Sequence, residues 1–176
     1  MQFTAGIITV SDKGYAGERK DTSGEKIAAI LKANDWEVVC RTIVPDEKDK
    51  IAEAVKAYSD EKNLCLIITT GGTGFSKRDV TPEATALVIE RECPGIPEAM
   101  RAESMRITPR GMLSREKAGI RGDSLIINLP GSEKAAGECL NAVISPVRHG
   151  VEMIRGWAGE CAQRFKHEDI HNEQKR

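Results

Sequence analysis

The chain has 176 residues, a formal net charge of −1 and a mean hydropathy of −0.37, with 40% apolar and 30% charged residues. This length is typical of one domain that buries a sizeable core, so a disordered chain is excluded. The near-neutral charge gives no general attraction to nucleic acid or anionic membranes, and no apolar run approaches the ~20 residues of a membrane span. The sequence begins without a secretory signal, so we expect a cytoplasmic protein.

Strands and helices alternate along the chain. A continuous apolar run predicts a buried strand over Phe3–Val10, and further strands are predicted over Trp36–Val44, Leu64–Thr70 (also buried) and Ser124–Leu129. Helices are predicted to begin at a capping box of Thr22 and Glu25, after Pro45-Asp46-Glu47, at Thr81-Pro82-Glu83 with Thr81 as the cap, over Ile96–Ile107, and after Ser132 with a break or kink at Pro146. This alternation predicts an α/β domain around a mostly parallel sheet.

The rest of the chain adds two expectations. We expect a domain of residues 1–156, followed by a helical turn and a polar tail over residues 157–176. The five cysteines are odd in number and widely spaced and include no CxxC, which argues against a disulfide framework or structural zinc. Cys40, Cys65 and Cys139 lie in apolar surroundings and are predicted to be buried.

Ligands of open α/β sheets bind beyond the carboxyl ends of the strands. This chain places unusual residues after each of its predicted strands: Ser11-Asp12, Pro45-Asp46, a glycine loop followed by Lys77-Arg78-Asp79, and Pro130-Gly131-Ser132. We therefore expect four strand ends to converge on one cleft.

The glycine loop is the most informative of these segments. Gly71, Gly72 and Gly74 flank Thr73, and three glycines in four residues allow positive φ angles and backbone N–H groups aimed at an anion. The loop matches neither GxxxxGK[ST] nor GxGxxG, so those nucleotide-binding folds are not supported. By itself it is equally compatible with a tight strand-to-helix turn.

Charged residues follow the loop. Lys77, Arg78 and Asp79 combine two cations with a carboxylate, which is the mixture that phosphoryl chemistry uses for phosphate oxygens and Mg²⁺. Asp46 is by itself most simply a helix N-cap, although a cap is compatible with a metal ligand. Ser114 and Arg115 add a hydroxyl and a guanidinium, and an exposed arginine is usually just solvated.

One further pattern suggests zinc chemistry. Residues 167–171, HEDIH, satisfy HExxH, which on a helix can bind zinc. They lie in a polar stretch with no apolar face, so we interpret them as a solvated tail. His149 is interpreted as structural.

Several segments together resemble one known family. TVSDKGYAGERKDTSG, VPDE, TTGGTGFSKRDVTPEAT, MLSREKAGIRG and LIINLPGSEKAA are similar to segments of the molybdenum-cofactor biosynthesis proteins of the MogA type, the molybdopterin adenylyltransferases. The resemblance covers about residues 4–155. It implies a three-layer α/β/α fold, a homotrimer, and Mg²⁺-dependent transfer of AMP from ATP to the terminal phosphate of molybdopterin, with a later hand-over to the molybdenum-inserting molybdotransferase.

The resemblance also assigns residues. Asp46 and Asp79 match the family's essential acidic positions, as catalytic residues and as Mg²⁺ ligands. The phosphates of nucleotide and pterin are expected at Ser11, Asp12, Gly71, Gly72, Thr73, Gly74, Lys77, Arg78, Ser114, Arg115, Pro130 and Gly131. Which of these residues contact the nucleotide and which the pterin stays open.

Three related functions remain as alternatives. The MoaB branch shares the fold and commonly has RDQAPEA where this chain has RDVTPEA, so Val80 and Thr81 favour the MogA side. A non-catalytic pterin-binding module is a second possibility, and retention of Asp46 and Asp79 argues against it. The third is a related domain that hydrolyses its nucleotide without pterin.

Overall fold

The computed structural model describes residues 2–157, and within them six strands form one mixed sheet. The strands are β1 Thr4–Val10, β2 Glu37–Val44, β3 Leu66–Thr70, β4 Arg91–Glu92, β5 Ala118–Arg121 and β6 Ser124–Leu129. Their order across the sheet is β2-β1-β3-β6-β5-β4. The ladders among β2, β1, β3 and β6 are parallel, whereas β5 runs antiparallel to both of its neighbours.

Helices cover both faces of the sheet. They are α1 Asp12–Tyr15, α2 Thr22–Ala33, α3 Lys48–Lys56, α4 Thr81–Val88, α5 Gly95–Ile107 and α6 Glu133–Ile154. A π-helical turn, Ala57–Glu61, continues α3, and a 3₁₀ turn, Pro109–Leu113, follows α5. None of the helices in this described part of the chain is long and apolar enough to cross a lipid bilayer.

The period-2 alternation of strand side chains creates two cores. On β3, Ile68 faces the core shared with α2, α5 and α6, whereas Ile67 faces the core shared with α3 and α4. β1 divides Ile7 and Ile8 in the same way. The predicted three-layer α/β/α architecture with a mostly parallel sheet is therefore confirmed.

Some predicted details are wrong. Asp21, not Thr22, caps α2, because the Asp21 carboxylate accepts from the N–H of Gly24 at 2.8 Å. Thr81 does not cap α4, since its hydroxyl donates to the carbonyl of Gly71 at 2.8 Å. α6 continues through Pro146 without the predicted break, because only one backbone donor is lost in a well-packed helix of 22 residues, and a kink there stays a prediction.

Other outcomes concern short elements and cysteines. The sequence patterns did not predict β4, β5 or the four-residue α1, which lies in the predicted loop after β1. Cys65 and Cys139 are buried as predicted, but Cys40 is only half-buried because β2 is an edge strand. Cys161, the HEDIH pattern and the predicted tail lie outside the described residues, and the division at residue 156 stays a prediction. Trp157 packs edge-on against Phe3, with ring centroids 5.5 Å apart.

Candidate active site

A polar cleft of about 580 Å³ opens at the carboxyl ends of β1, β2, β3 and β6. The parallel register of these strands brings the segments after them to one edge of the sheet, as expected. Its lining includes five residues of the predicted site: Ser11, Asp46, Gly71, Gly72 and Gly131. The remaining predicted residues are not part of this lining: Asp12, Thr73, Gly74 and Pro130 are sequence neighbours of lining residues, and Lys77, Arg78, Asp79, Ser114 and Arg115 lie farther along the chain.

The glycine loop is held by close backbone contacts. Gly71 and Gly72 have φ angles of +104° and +64°, and a Cβ on Gly71 would overlap the carbonyl oxygen of Val10. The N–H of Gly71 donates to the carbonyl of Leu129 at 3.1 Å, and the Gly72 carbonyl accepts from the N–H of Thr81. These contacts turn the first two loop carbonyls toward the start of α4, so they do not repel an anion in the cleft.

Asp12 and Asp46 exchange hydrogen bonds across two loops. The N–H of Asp12 donates to Asp46 Oδ2 at 2.8 Å, and the N–H of Asp46 donates to Asp12 Oδ1 at 3.0 Å. Asp46 is half-buried, and burial raises the pKa of its carboxyl, with the charges of Asp12 and Asp79 acting in the same direction. Asp46 does not cap α3, whose N-cap position is Glu47, so the N-cap interpretation is wrong.

Arg78 connects the glycine-loop segment to the same pair. Its Nε and Nη2 donate to the two carboxylate oxygens of Asp12 at 3.1 and 2.8 Å. This bidentate pair lowers the pKa of Asp12 and raises that of Arg78. Asp12 and Arg78 were predicted to bind phosphate. In the structure the carboxylate of Asp12 and the guanidinium of Arg78 bind each other.

Asp79 and Arg115 shape the far side of the loop. Asp79 Oδ2 accepts a hydrogen bond from the N–H of Ser76 at 2.8 Å. A Cβ on Gly74 would lie 2.9 Å from the same oxygen, so the carboxylate packs against the glycine loop. Arg115 Nε donates to the carbonyl of Gly74 at 2.7 Å. Its two terminal nitrogens donate to the carbonyl of Asp79 and to the Glu83 carboxylate. Arg115 therefore holds both ends of the segment from Gly74 to Asp79.

The other predicted residues occupy varied positions. Lys77 is exposed beside Arg78. The carbonyl of Thr73 accepts from the N–H of Arg115 at 3.0 Å, and the carbonyl of Pro130 accepts from the Thr70 hydroxyl at 2.7 Å. Ser114 Oγ is buried and has no hydrogen-bond partner within residues 2–157. Phosphate binding by this set stays a prediction.

The sequence patterns placed Ser132 at this edge of the sheet but did not predict the rest of a second wall of the cleft. This wall contains residues around the N-termini of α2 and α6: Arg19, Lys20, Asp21, Thr22, Ser23, Ser132 and Glu133. The N-termini of α2 and α6 and the basic side chains of Arg19 and Lys20 favour an anionic ligand there, whereas Asp21 and Glu133 oppose it. The recognised cap signals marked both helix starts, but nothing local indicated that they meet at one cleft.

The carboxylates fit a divalent cation together with its substrate. Asp46 and Asp79 both lie against the glycine loop, with Asp46 Oδ1 3.3 Å from the position of a Cβ on Gly72 and Asp79 Oδ2 2.9 Å from that of a Cβ on Gly74. Within the described residues no cluster of three or more acidic, histidine or cysteine side chains is arranged to hold a metal. Two carboxylates suit Mg²⁺, which takes one or two from the protein and the rest of its ligands from water and phosphates.

Comparison with known proteins identifies this arrangement. The family model described as "Probable molybdopterin binding domain" matches residues 6–149. The chain belongs to the molybdopterin-binding domain family. The match includes all the candidate site residues, and the resemblance noted from the sequence is confirmed.

Members of this family with similar sequences carry informative names. The chain is 42% identical over 154 residues to "Molybdopterin adenylyltransferase" from Helicobacter pylori, covering 86% of this chain and 87% of that protein. It is 43% identical over 155 residues to "Molybdenum cofactor synthesis protein cinnamon" from Drosophila melanogaster, but spans only 26% of that longer relative.

Solved structures agree with the family assignment. The "Molybdopterin biosynthesis enzyme MoaB" from Thermus thermophilus is 46% identical and superposes with a TM-score of 0.84, covering 88% of this chain and 98% of that one. The "tungsten cofactor synthesizing protein MoaB" from Pyrococcus furiosus is 36% identical with a TM-score of 0.80, covering 88% and 98%. Neighbours named MoaB and a neighbour named MogA all match, so the assignment to the MogA branch from Val80 and Thr81 stays a prediction.

Proposed function

We propose that the chain is a molybdopterin adenylyltransferase of molybdenum cofactor biosynthesis, with ATP and molybdopterin as substrates. The observation that carries this proposal is the placement of two half-buried carboxylates, Asp46 and Asp79, against a glycine loop that lines a polar cleft. Relatives that cover most of the chain at about 40% identity bear that name.

The proposed reaction needs no covalent nucleophile from the protein. An oxygen of the terminal phosphate of molybdopterin attacks the α-phosphorus of ATP. The bond from that phosphorus to the oxygen bridging to the β-phosphate breaks, and pyrophosphate leaves with that oxygen. The protein has to align two polyanions and reduce their repulsion.

The residues divide this task by their chemistry. The N–H groups of Gly72, Thr73 and Gly74 and the side chain of Lys77 would attract phosphate oxygens on the glycine-loop side, and Arg19 and Lys20 would do so from the other wall of the cleft. Asp46 and Asp79 would hold Mg²⁺, which when bound screens the phosphate charges. Arg115 keeps Asp79 in place through the backbone rather than by touching the substrate.

The resemblance supports further proposals about context. We infer a cytoplasmic homotrimer that passes its adenylylated product to the molybdenum-inserting molybdotransferase. A carrier module without activity is the second candidate function, and it is favoured by one observation: this domain is about a quarter of the length of the Drosophila relative. There the matched region is one part of a longer chain.

A transfer assay tests the proposal. Purified protein, freshly released molybdopterin, ATP and Mg²⁺ are mixed, and adenylylated pterin is followed by chromatography with a no-pterin control. We expect pterin-dependent product. Tight pterin binding without product would identify a carrier, and ATP loss without pterin would identify a nucleotide hydrolase.

A single variant tests the site. Asp79→Asn retains an acceptor for the N–H of Ser76 but removes the charge, so we expect normal folding and at least ~100-fold slower transfer. Turnover equal to that of the wild type would contradict the assignment of Asp79.

A further inference from the structure

Asp12 occupies a position that its predicted role does not explain. Its carboxylate is negatively charged and accepts three hydrogen bonds, one from the N–H of Asp46 and two from Arg78. A carboxylate has no donor to offer a phosphate, and its charge repels one. Asp12 therefore acts on other residues of the cleft rather than on the substrate phosphates.

The contacts of Asp12 join three loops. It follows β1, Asp46 follows β2, and Arg78 follows β3, and these strands are neighbours in the sheet. The bonds link residues that are 34 and 66 positions apart. One side chain thus fixes the relative placement of the three segments that form the mouth of the cleft.

The guanidinium of Arg78 lies near a second carboxylate. Its charge acts on Asp46 as well as on Asp12, yet both of its hydrogen bonds go to Asp12. If Arg78 instead paired with Asp46, it would occupy the carboxylate that the proposed function needs for a cation. A half-buried carboxylate attracts a nearby guanidinium more strongly than an exposed one does, so something has to prevent that pairing.

We propose that Asp12 is a positioning residue that holds Arg78 beside Asp46 and keeps it from pairing with Asp46. Arg78 then supplies positive charge at the mouth of the cleft while Asp46 Oδ1 stays available to the cation and substrate. This inference rests on the proposed function for its activity readout, whereas its structural readout is independent of that function.

The pair is unsuited to a mainly structural role. The side chains of Arg78 and Asp12 are 55% and 47% exposed, and exposed ion pairs contribute little to stability. Asp12→Asn is therefore expected to fold. A matched control exists at the other end of the sheet, where Arg121 donates to both oxygens of Asp60 at 2.8 and 2.6 Å.

The structural test uses Asp12→Asn without ligands. A crystal structure of this variant is expected to show the Arg78 guanidinium within hydrogen-bond distance of the Asp46 carboxylate. A guanidinium that stays at residue 12 or turns to solvent would overturn the proposal. This readout holds even if the wild-type protein proves to be a carrier with no transfer activity.

The kinetic test uses a double-mutant cycle. We expect Asp12→Asn to slow transfer ~10-fold, and the effect to shrink to below ~3-fold when Arg78→Gln is already present, because the two changes are coupled. Asp60→Asn, the control, is expected to leave transfer within ~2-fold of wild type. Equal effects of Asp12→Asn in both backgrounds would contradict the positioning role, as would unchanged transfer in the single variant.

Discussion

Two aspartate–arginine pairs of the same geometry lie at different ends of this molecule. Asp12 and Arg78 connect loops at the cleft, whereas Asp60 and Arg121 connect the π-helical turn to β5. Arg121 also donates to the carbonyl of Val88 at 3.1 Å, so that pair ties the end of α4 to the sheet. The cleft pair lies beside a second, half-buried carboxylate.

The difference between the two pairs comes from strand direction. Parallel strands deliver their loops to a common edge, so charges from distant parts of the sequence gather there and are only partly compensated. At the antiparallel β6–β5–β4 edge, neighbouring segments compensate each other, as Lys117 does with Glu92 at 2.6 Å. An aspartate–arginine pair of the same geometry therefore positions the charged groups of the cleft at one end and anchors the fold at the other.

The largest expected effect compares the carboxylate of Asp46, in the cleft, with that of Asp60, in the pair that anchors the fold. Asp46→Asn is expected to slow adenylyl transfer at least ~100-fold, because it removes charge beside the reacting phosphates and retains the acceptor for Asp12. Asp60→Asn is expected to change transfer less than ~2-fold. Steady-state rates of both purified variants check this, and similar losses would erase the proposed distinction.

Two glycines with positive φ give the next contrast. Gly71→Ala would force a Cβ into the Val10 carbonyl at a φ of +104°, and we expect a loss of about 3 kcal/mol in the free energy of unfolding. Gly122→Ala, in the β5–β6 turn at +49° with open space around it, should cost about 1 kcal/mol. Urea unfolding measures both values. A smaller loss at Gly71 than at Gly122 would mean that the loop is not closely packed.

The buried Glu116 makes the stability of the folded protein depend on pH. This side chain is 4% exposed with one unpartnered oxygen within the described residues, and burial raises its pKa to about 7. The folded state binds the proton of the Glu116 carboxyl more tightly than the unfolded chain does. The stability that this proton binding contributes is therefore lost as the pH rises from about 4.5 to 7.

Replacing this carboxyl removes the cost of ionising it. Glu116→Gln is expected to stabilise the protein at pH 8 by as much as ~3 kcal/mol, and to have little effect at about pH 4. Thermal unfolding of both proteins across this pH range checks the difference. A gain that is the same at both pH values would show that packing, rather than ionisation, explains it.

The smallest expected effect concerns the stability that the Asp60–Arg121 pair contributes. Asp60→Asn should lower the free energy of unfolding by only about 0.5 kcal/mol, because Asp60 is 45% exposed and its ion pair is screened by water. Repeating the urea titration in high salt should reduce the difference further. A loss above ~2 kcal/mol would show that the anchor matters far more than a surface pair.

The sequence patterns predicted the parallel part of the fold well. β1, β3 and β6 are buried apolar runs, which read the same way in any α/β protein, and β2 is a β-branched edge strand whose residues are mostly exposed or half-buried. β4 has two residues and β5 contains Gly119, so neither has a local signal strong enough to predict a strand. β5 forms by pairing with β6, and β4 in turn pairs with β5.

The candidate site was partly predictable for a similar reason. Asp46, Asp79 and the glycine loop stand directly after predicted strands, where chemistry in this class of fold is expected. Arg19, Lys20 and Ser23 precede or begin a helix and look like an ordinary polar loop. Their place in the cleft depends on how α2 packs on the sheet.

The sequence by itself determined the parallel strands, the glycine loop and the positions of the candidate acidic residues, because these depend on local composition and on periodicity. The tertiary structure alone decided which partner each charged side chain takes. Arg78 reaches Asp12 across 66 positions, and Arg115 reaches the Gly74 carbonyl across 41. Long side chains choose among acceptors that only the strand order brings within range, so no local pattern encodes that choice.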